Sequence, residues 1–179
     1  MKKMNVTHLT KAAAIAALYV VLTFVANIFG LSNGVIQVRI SEALTILPFF
    51  TPLAIPGLFV GCLVSNILTG CMPLDIIFGS IATLLGAIGT SMIGSLYRKK
   101  RGTMHPVKLL TWLTPIPPIL ANTLIVPFIL AFVYQFEGSI PYFMLTVGIG
   151  EIISCGILGL LLQFILKRYA HILFPFDQN

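Results

Sequence analysis

The chain has 179 residues, of which 58% are hydrophobic and only 9% charged, and a mean hydropathy of +1.01. A water-soluble domain carries roughly 25% charged residues, so the composition excludes one and points to burial in lipid. Six apolar spans of about 20 residues consume roughly 120 residues, which leaves one membrane domain with short loops; the net charge of +6 flanks those spans, where cytoplasmic retention and anionic lipid account for it without nucleic acid.

Met1 to Lys11 is polar and basic, and the apolar run behind it, Ala12 to Leu31, has the length of a full span. It reads as a retained first helix rather than a cleaved leader. The first helix is expected over 10–30, followed by an outer loop of turn formers, Gly30-Leu31-Ser32-Asn33-Gly34. A short second helix, 38–50, opens with Arg39 and carries Pro48; it is too short for an ordinary span. The third, 53–69, and the fourth, 74–96, are joined by Gly70-Cys71-Met72-Pro73. Pro115, Pro117 and Pro118 forbid an unbroken fifth helix, so a short interfacial stretch to Thr114 should precede a helix over 116–134. The sixth spans 141–169. The fold class expected is an all-α integral membrane protein, a six-transmembrane-helix bundle with both termini cytoplasmic.

The orientation rests on charge. In this threading Lys2, Lys3, Lys11, Arg98, Lys99, Lys100, Arg101, Lys108, Lys167 and Arg168 fall at inner ends, and Arg39 alone falls outside. Small residues recur every fourth position on the third helix (Gly57, Gly61, Ser65) and on the fourth (Gly86, Thr90, Gly94), which is the pattern of close helix packing in lipid. Ala12, Ala13, Ala16 and Ala17 form two overlapping AxxxA pairs, open equally to packing within the bundle and to docking a partner helix.

Five acids exist: Glu42, Asp75, Glu137, Glu151 and Asp177. Asp177 and Glu137 read as solvated surface. Glu151 lies ten residues beyond Pro141, roughly 15 Å deep at about 1.5 Å per residue. A carboxylate near the bilayer centre costs at least about 2.5 kcal/mol, so a ligand or a hydrogen-bonding partner is expected there. Arg39 and Glu42 are spaced for an intrahelical ion pair, and Asp75 for stabilising a helix start. Asn66 and Asn122 bring amides that need partners. Cys62 and Cys155 read as small apolar residues within spans, and Cys71 has no assigned role.

His8, His105 and His171 belong to the inner end, the carboxylates to the outer half or centre. No His–carboxylate pair or intramembrane metal site can be assembled from them, which argues against an enzyme. No GxxxxGK[ST] occurs, so the chain has no P-loop of its own. An outward-facing, mostly acidic pocket suits a ligand that presents donors, such as an amine or a guanine-like edge.

The stretch from Val38-Arg39-Ile40-Ser41-Glu42 through Leu47-Pro48-Phe49-Phe50-Thr51-Pro52 resembles the signature of the QueT family, as do Ile55-Pro56-Gly57-Leu58-Phe59-Val60-Gly61-Cys62 and Asp75-Ile76-Ile77-Phe78-Gly79-Ser80. The resemblance implies a substrate-binding (S) component of an energy-coupling factor (ECF) transporter in the bacterial cell membrane. It implies partners too: a transmembrane coupling protein, contacted by Ala12, Ala13, Ala16 and Ala17, and two ATPases that use the ATP, with no cofactor in this chain. The implied ligands are 7-aminomethyl-7-deazaguanine, queuine or queuosine. Under that reading Arg39, Glu42, Asn66, Asp75, Asn122 and Glu151 surround the ligand, with one carboxylate on the guanine edge and another on the amine, and Phe78 stacks on the bicycle. An S component for another cationic vitamin and a stand-alone carrier stay open as alternatives.

Overall fold

The computed structural model describes residues 6–31, 37–100 and 107–173. Lys2, Lys3, Arg101, His105, Asp177 and the outer-loop residues Ser32, Asn33 and Gly34 lie outside the described residues. Among those described, all regular structure is helical: α1 (Val6–Ile28), a 3-10 helix (Ile40–Phe49), α2 (Ala54–Leu68), α3 (Pro73–Lys100), α4 (Val107–Trp112), α5 (Ile116–Phe132), α6 (Ile140–Glu151), a π-helical stretch (Ile152–Leu158) and α7 (Gly159–Leu173).

Four helical segments, Val6–Ile28, Pro73–Lys99, Leu109–Phe132 and Ile140–Ala170, are long and apolar enough to cross a membrane. Their outer faces expose Leu18, Val21, Leu85, Leu120, Leu124, Leu145 and Leu161. Water would not tolerate so wide an apolar surface, and hydrocarbon does. The chain is a multi-pass membrane protein.

The 3-10 helix is the centre of the bundle. Every residue from Ser41 to Phe50 is buried, and α1, α3, α7 and the π stretch pack around it. A 3-10 helix rises about 2.0 Å per residue against about 1.5 Å for an α-helix. Its ten residues therefore reach roughly 20 Å rather than roughly 15 Å. Pro48 has no N–H to contribute to it. At its end the Phe49 carbonyl accepts a 2.7 Å hydrogen bond from Arg98 Nη1.

Glycines set how closely the helices approach. A Cβ on Gly57 would lie 2.6 Å from the Ala12 carbonyl oxygen, and one on Gly61 2.8 Å from Tyr19 Cβ, so α1 lies directly on α2. On α3, a Cβ at Gly86 would meet Pro118 Cα at 2.6 Å, and one at Gly94 would collide with the Phe49 backbone. Thr90, between them, donates to the Thr114 carbonyl at 3.2 Å. The alanine pairs of α1 divide: Ala12 and Ala16 turn towards Gly57 and Gly61, whereas Ala13 and Ala17 are exposed.

Candidate functional site: a carboxylate-lined polar chamber

Asp75 stands in the first turn of α3, where the N-terminal end of the dipole favours a carboxylate. Its Oδ2 accepts a 2.8 Å hydrogen bond from the Tyr134 hydroxyl, just beyond α5, and the same hydroxyl accepts from Met72 N at 3.2 Å. Tyr134 thus ties the turn between α2 and α3 to the far end of α5. Above Gly79, Asp75 Oδ1 and Asn66 Nδ2 come within 3.2 and 3.3 Å of where a Cβ would stand. Glycine there lets the two side chains lie over α3.

A chain of hydrogen bonds leads inward from this point. Asn66 Nδ2 donates to Cys62 Sγ at 3.6 Å, the Thr83 hydroxyl approaches the same sulfur at 3.4 Å, and it reaches Glu42 Oε1 at 3.2 Å. The Tyr19 hydroxyl also donates to Glu42 Oε1. Beyond Glu42 the chain continues through Cys155, whose thiol approaches the Glu42 carbonyl at 3.5 Å and Glu151 Oε2 at 3.1 Å. Asn122, on α5, lies beside the Glu151 carboxylate.

Glu42 is only 1% exposed, yet its Oε2 has no hydrogen-bond partner among the described residues. A buried acceptor left in that state costs about 1–3 kcal/mol, and more when charged. Glu42, Glu151 and Cys155 each bring one ligating atom within 4.8 Å of the others. Two carboxylates and a thiol at that spacing offer a cation two hard donors and one soft one.

Arg39 precedes the 3-10 helix. It forms no tight pair with Glu42: its Nη2 reaches Gln37 Oε1 at 3.5 Å, while the Glu42 side chain turns towards Tyr19 and Thr83. The extended segment around Gln37 runs so close to α6 that a Cβ at Gly150 would collide with the Gln37 carbonyl oxygen.

Two cavities adjoin this segment. The larger, about 310 Å³, is lined by Gln37, Arg39, Thr69, Cys71, Asp75, Val126, Leu130, Tyr134 and Phe136, a volume within the range of small-molecule sites. The smaller holds about 10 Å³ between Gln37, Arg39, Asn122, Val126, Val147 and Glu151, room for about one water-sized particle. Gln37, Arg39 and Val126 line both.

Six of the seven residues expected from the sequence to bind ligand therefore belong to one connected polar system: Arg39, Glu42, Asn66, Asp75, Asn122 and Glu151. Phe78 does not. It is 46% exposed and lines an apolar cleft with Leu74, Leu124 and Phe128. The inward stripe of α3 continues from Asp75 through Gly79, Thr83 and Thr90, all buried, and Phe78 falls one position outside it. Sequence reasoning missed Tyr19, Thr83 and Tyr134, and it read Cys62 and Cys155 as filler although both are links in the chain. The signal available was a lone tyrosine hydroxyl within the apolar run of α1, which has to find an acceptor.

The sequence profile of the QueT transporter family matches residues 9–168, nearly the whole chain. The chain belongs to that family. It is similar to the "Queuosine precursor transporter QueT" of Lactococcus lactis subsp. cremoris (strain MG1363), with 38% identity over 85 residues, 48% of this chain and 50% of the relative. The matched part thus spans about half the length of that protein. No solved structure matches.

Proposed function

We propose that this chain is the membrane-embedded substrate-binding component of an importer for a queuosine precursor or salvage product, a 7-deazaguanine that carries an amine. The observation that carries the proposal is the polar chamber: a cavity of about 310 Å³ lined by Asp75 and Arg39, a small one beside it lined by Glu151, and Glu42 linked to Glu151 through Cys155, in a chain otherwise built for lipid. A surplus of acceptors suits the N–H groups of a guanine-type edge and the cation of an aminomethyl arm. Membership of the QueT transporter family, and the name of the L. lactis relative, support the same class of ligand.

The chain crosses the membrane six times in this proposal, with the 3-10 helix and α2 as the two short crossings and both termini in the cytoplasm. The longer rise of the 3-10 geometry supports the first of these, and the basic residues gathered around Arg98 and Lys167 support the orientation. Import is driven by an ECF coupling protein and two ATPases that consume ATP. Ala13 and Ala17 form the docking face on α1, with Ala12 and Ala16 at its edge.

Two measurements test this. The detergent-purified chain, titrated calorimetrically with 7-aminomethyl-7-deazaguanine, queuine, queuosine and guanine, should bind at least one deazaguanine tightly and guanine weakly; binding to none sends the search to other amine-bearing vitamins. Uptake of the bound compound by cells should cease when the coupling protein or either ATPase is deleted. Uptake that survives these deletions identifies a stand-alone carrier instead.

A further inference from the structure

Around the chamber, three carboxylates face one guanidinium among the described residues. Arg39 reaches Gln37 Oε1, and among the described residues no hydrogen bond joins it to Glu42 or Glu151. The two glutamates are therefore the uncompensated pair. Both are buried, their nearest ligating atoms lie within 4.8 Å of each other and of Cys155 Sγ, and Glu42 Oε2 has no donor. Two carboxyl groups buried side by side cannot both carry charge cheaply without a cation to offset them.

The small cavity that Glu151 and Asn122 line has room for about one particle of water size. A flat bicycle cannot enter it, but the terminal nitrogen of a one-carbon arm can. The larger cavity outside it, which shares Gln37, Arg39 and Val126 with it, has the volume for the bicycle.

We infer that the Glu42–Glu151–Cys155 cluster is a cation niche that takes the ligand's ammonium group, so the protein selects positively charged 7-substituted deazaguanines over neutral ones of the same size. The inference rests on the proposed substrate class and deepens it by assigning ligand orientation: arm inward to Glu151 and Glu42, ring system outward beside Asp75 and Tyr134. Arg39, bonded to Gln37, lines both cavities and so lies along the path between ring system and arm.

The test compares two isosteres on the purified wild-type chain: 7-aminomethyl-7-deazaguanine, a cation, and 7-hydroxymethyl-7-deazaguanine, which is neutral and of nearly the same shape. A hydrogen bond with a charged partner exceeds its neutral counterpart enough to give the amine an advantage of about 10- to 100-fold. Glu151→Gln should shrink that advantage at least about fivefold, chiefly by weakening the amine; Glu42→Gln provides the same readout if Glu151→Gln does not fold. Equal affinity of the wild type for both compounds overturns the niche and leaves the substrate class standing. If neither compound binds but queuine or queuosine does, the niche is overturned and the substrate class stands; if none of the four binds, the substrate class itself fails. A chelator that abolishes binding of the amine shows that a metal ion fills the niche, which also overturns the inference.

Discussion

Glu42 is the residue on which the interior turns. One oxygen receives both the Tyr19 and the Thr83 hydroxyl, and the other receives no donor. A carboxyl group at 1% exposure retains its place only while its donors hold, because each lost donor leaves a buried acceptor in a medium that cannot solvate it. Tyr19→Phe removes one of the two and nearly preserves shape. It should lower stability by about 1–3 kcal/mol, read as a lower thermal midpoint of the ligand-free protein in detergent; an unchanged midpoint would show that Thr83 alone holds Glu42. At this scale the sequence was informative about charge and silent about neighbours. A carboxylate in an apolar run announces itself by its cost, which is why Glu42 and Glu151 were legible. A thiol or a threonine carries no such cost, and so the roles of Cys62, Cys155 and Thr83 were not. Phe78 shows the reverse: three residues from Asp75 it seemed available for stacking, yet the step from Asp75 to Gly79 follows the inward stripe and the step to Phe78 leaves it.

Individual elements owe their positions to small residues and prolines, and these were readable. Pro117 and Pro118 mark a helix start, and α5 begins at Ile116; the Gly57/Gly61 face lies against α1. Helix type was not readable, because hydropathy does not record whether a carbonyl bonds three, four or five residues on. The 3-10 helix and the π stretch behind Glu151 pack against each other, and π turns are common at functional sites. The divided alanines of α1 give the element-scale prediction. Gly61→Ala places a methyl 3.0 Å from the Ala16 carbonyl oxygen and 2.8 Å from Tyr19 Cβ, so α1 has to move; overpacking of this kind costs about 1–3 kcal/mol and should lower the thermal midpoint. Ala17→Leu, on the exposed face, should shift stability by less than about 0.5 kcal/mol and leave ligand affinity unchanged, yet abolish ATP-driven uptake. Normal uptake by Ala17→Leu cells would remove this face from the docking surface.

For the molecule as a whole, the two ends of the bundle differ in chemistry. At one end Arg98 caps the Phe49 carbonyl, and Lys167 Nζ bonds Thr111 Oγ1 at 2.7 Å while lying 5.1 Å from the centre of the Tyr97 ring. At the other, the chamber gathers Arg39, Asp75, Tyr134 and Cys71. The proposed orientation sets the basic end in the cytoplasm and opens the chamber outward, and the chain's own thiols test both at once. Cys62 and Cys155 are buried, whereas Cys71 is half-buried and lines the chamber. A small, membrane-impermeant cationic methanethiosulfonate added to intact cells should therefore modify one thiol, and Cys71→Ser should abolish the modification. In the proposed pose a deazaguanine fills the space beside Cys71, so saturating ligand should slow the reaction at least about tenfold. Labelling that appears only after the cells are permeabilised would invert the topology. Labelling from outside at a rate indifferent to ligand would keep the topology and move the binding site away from the chamber.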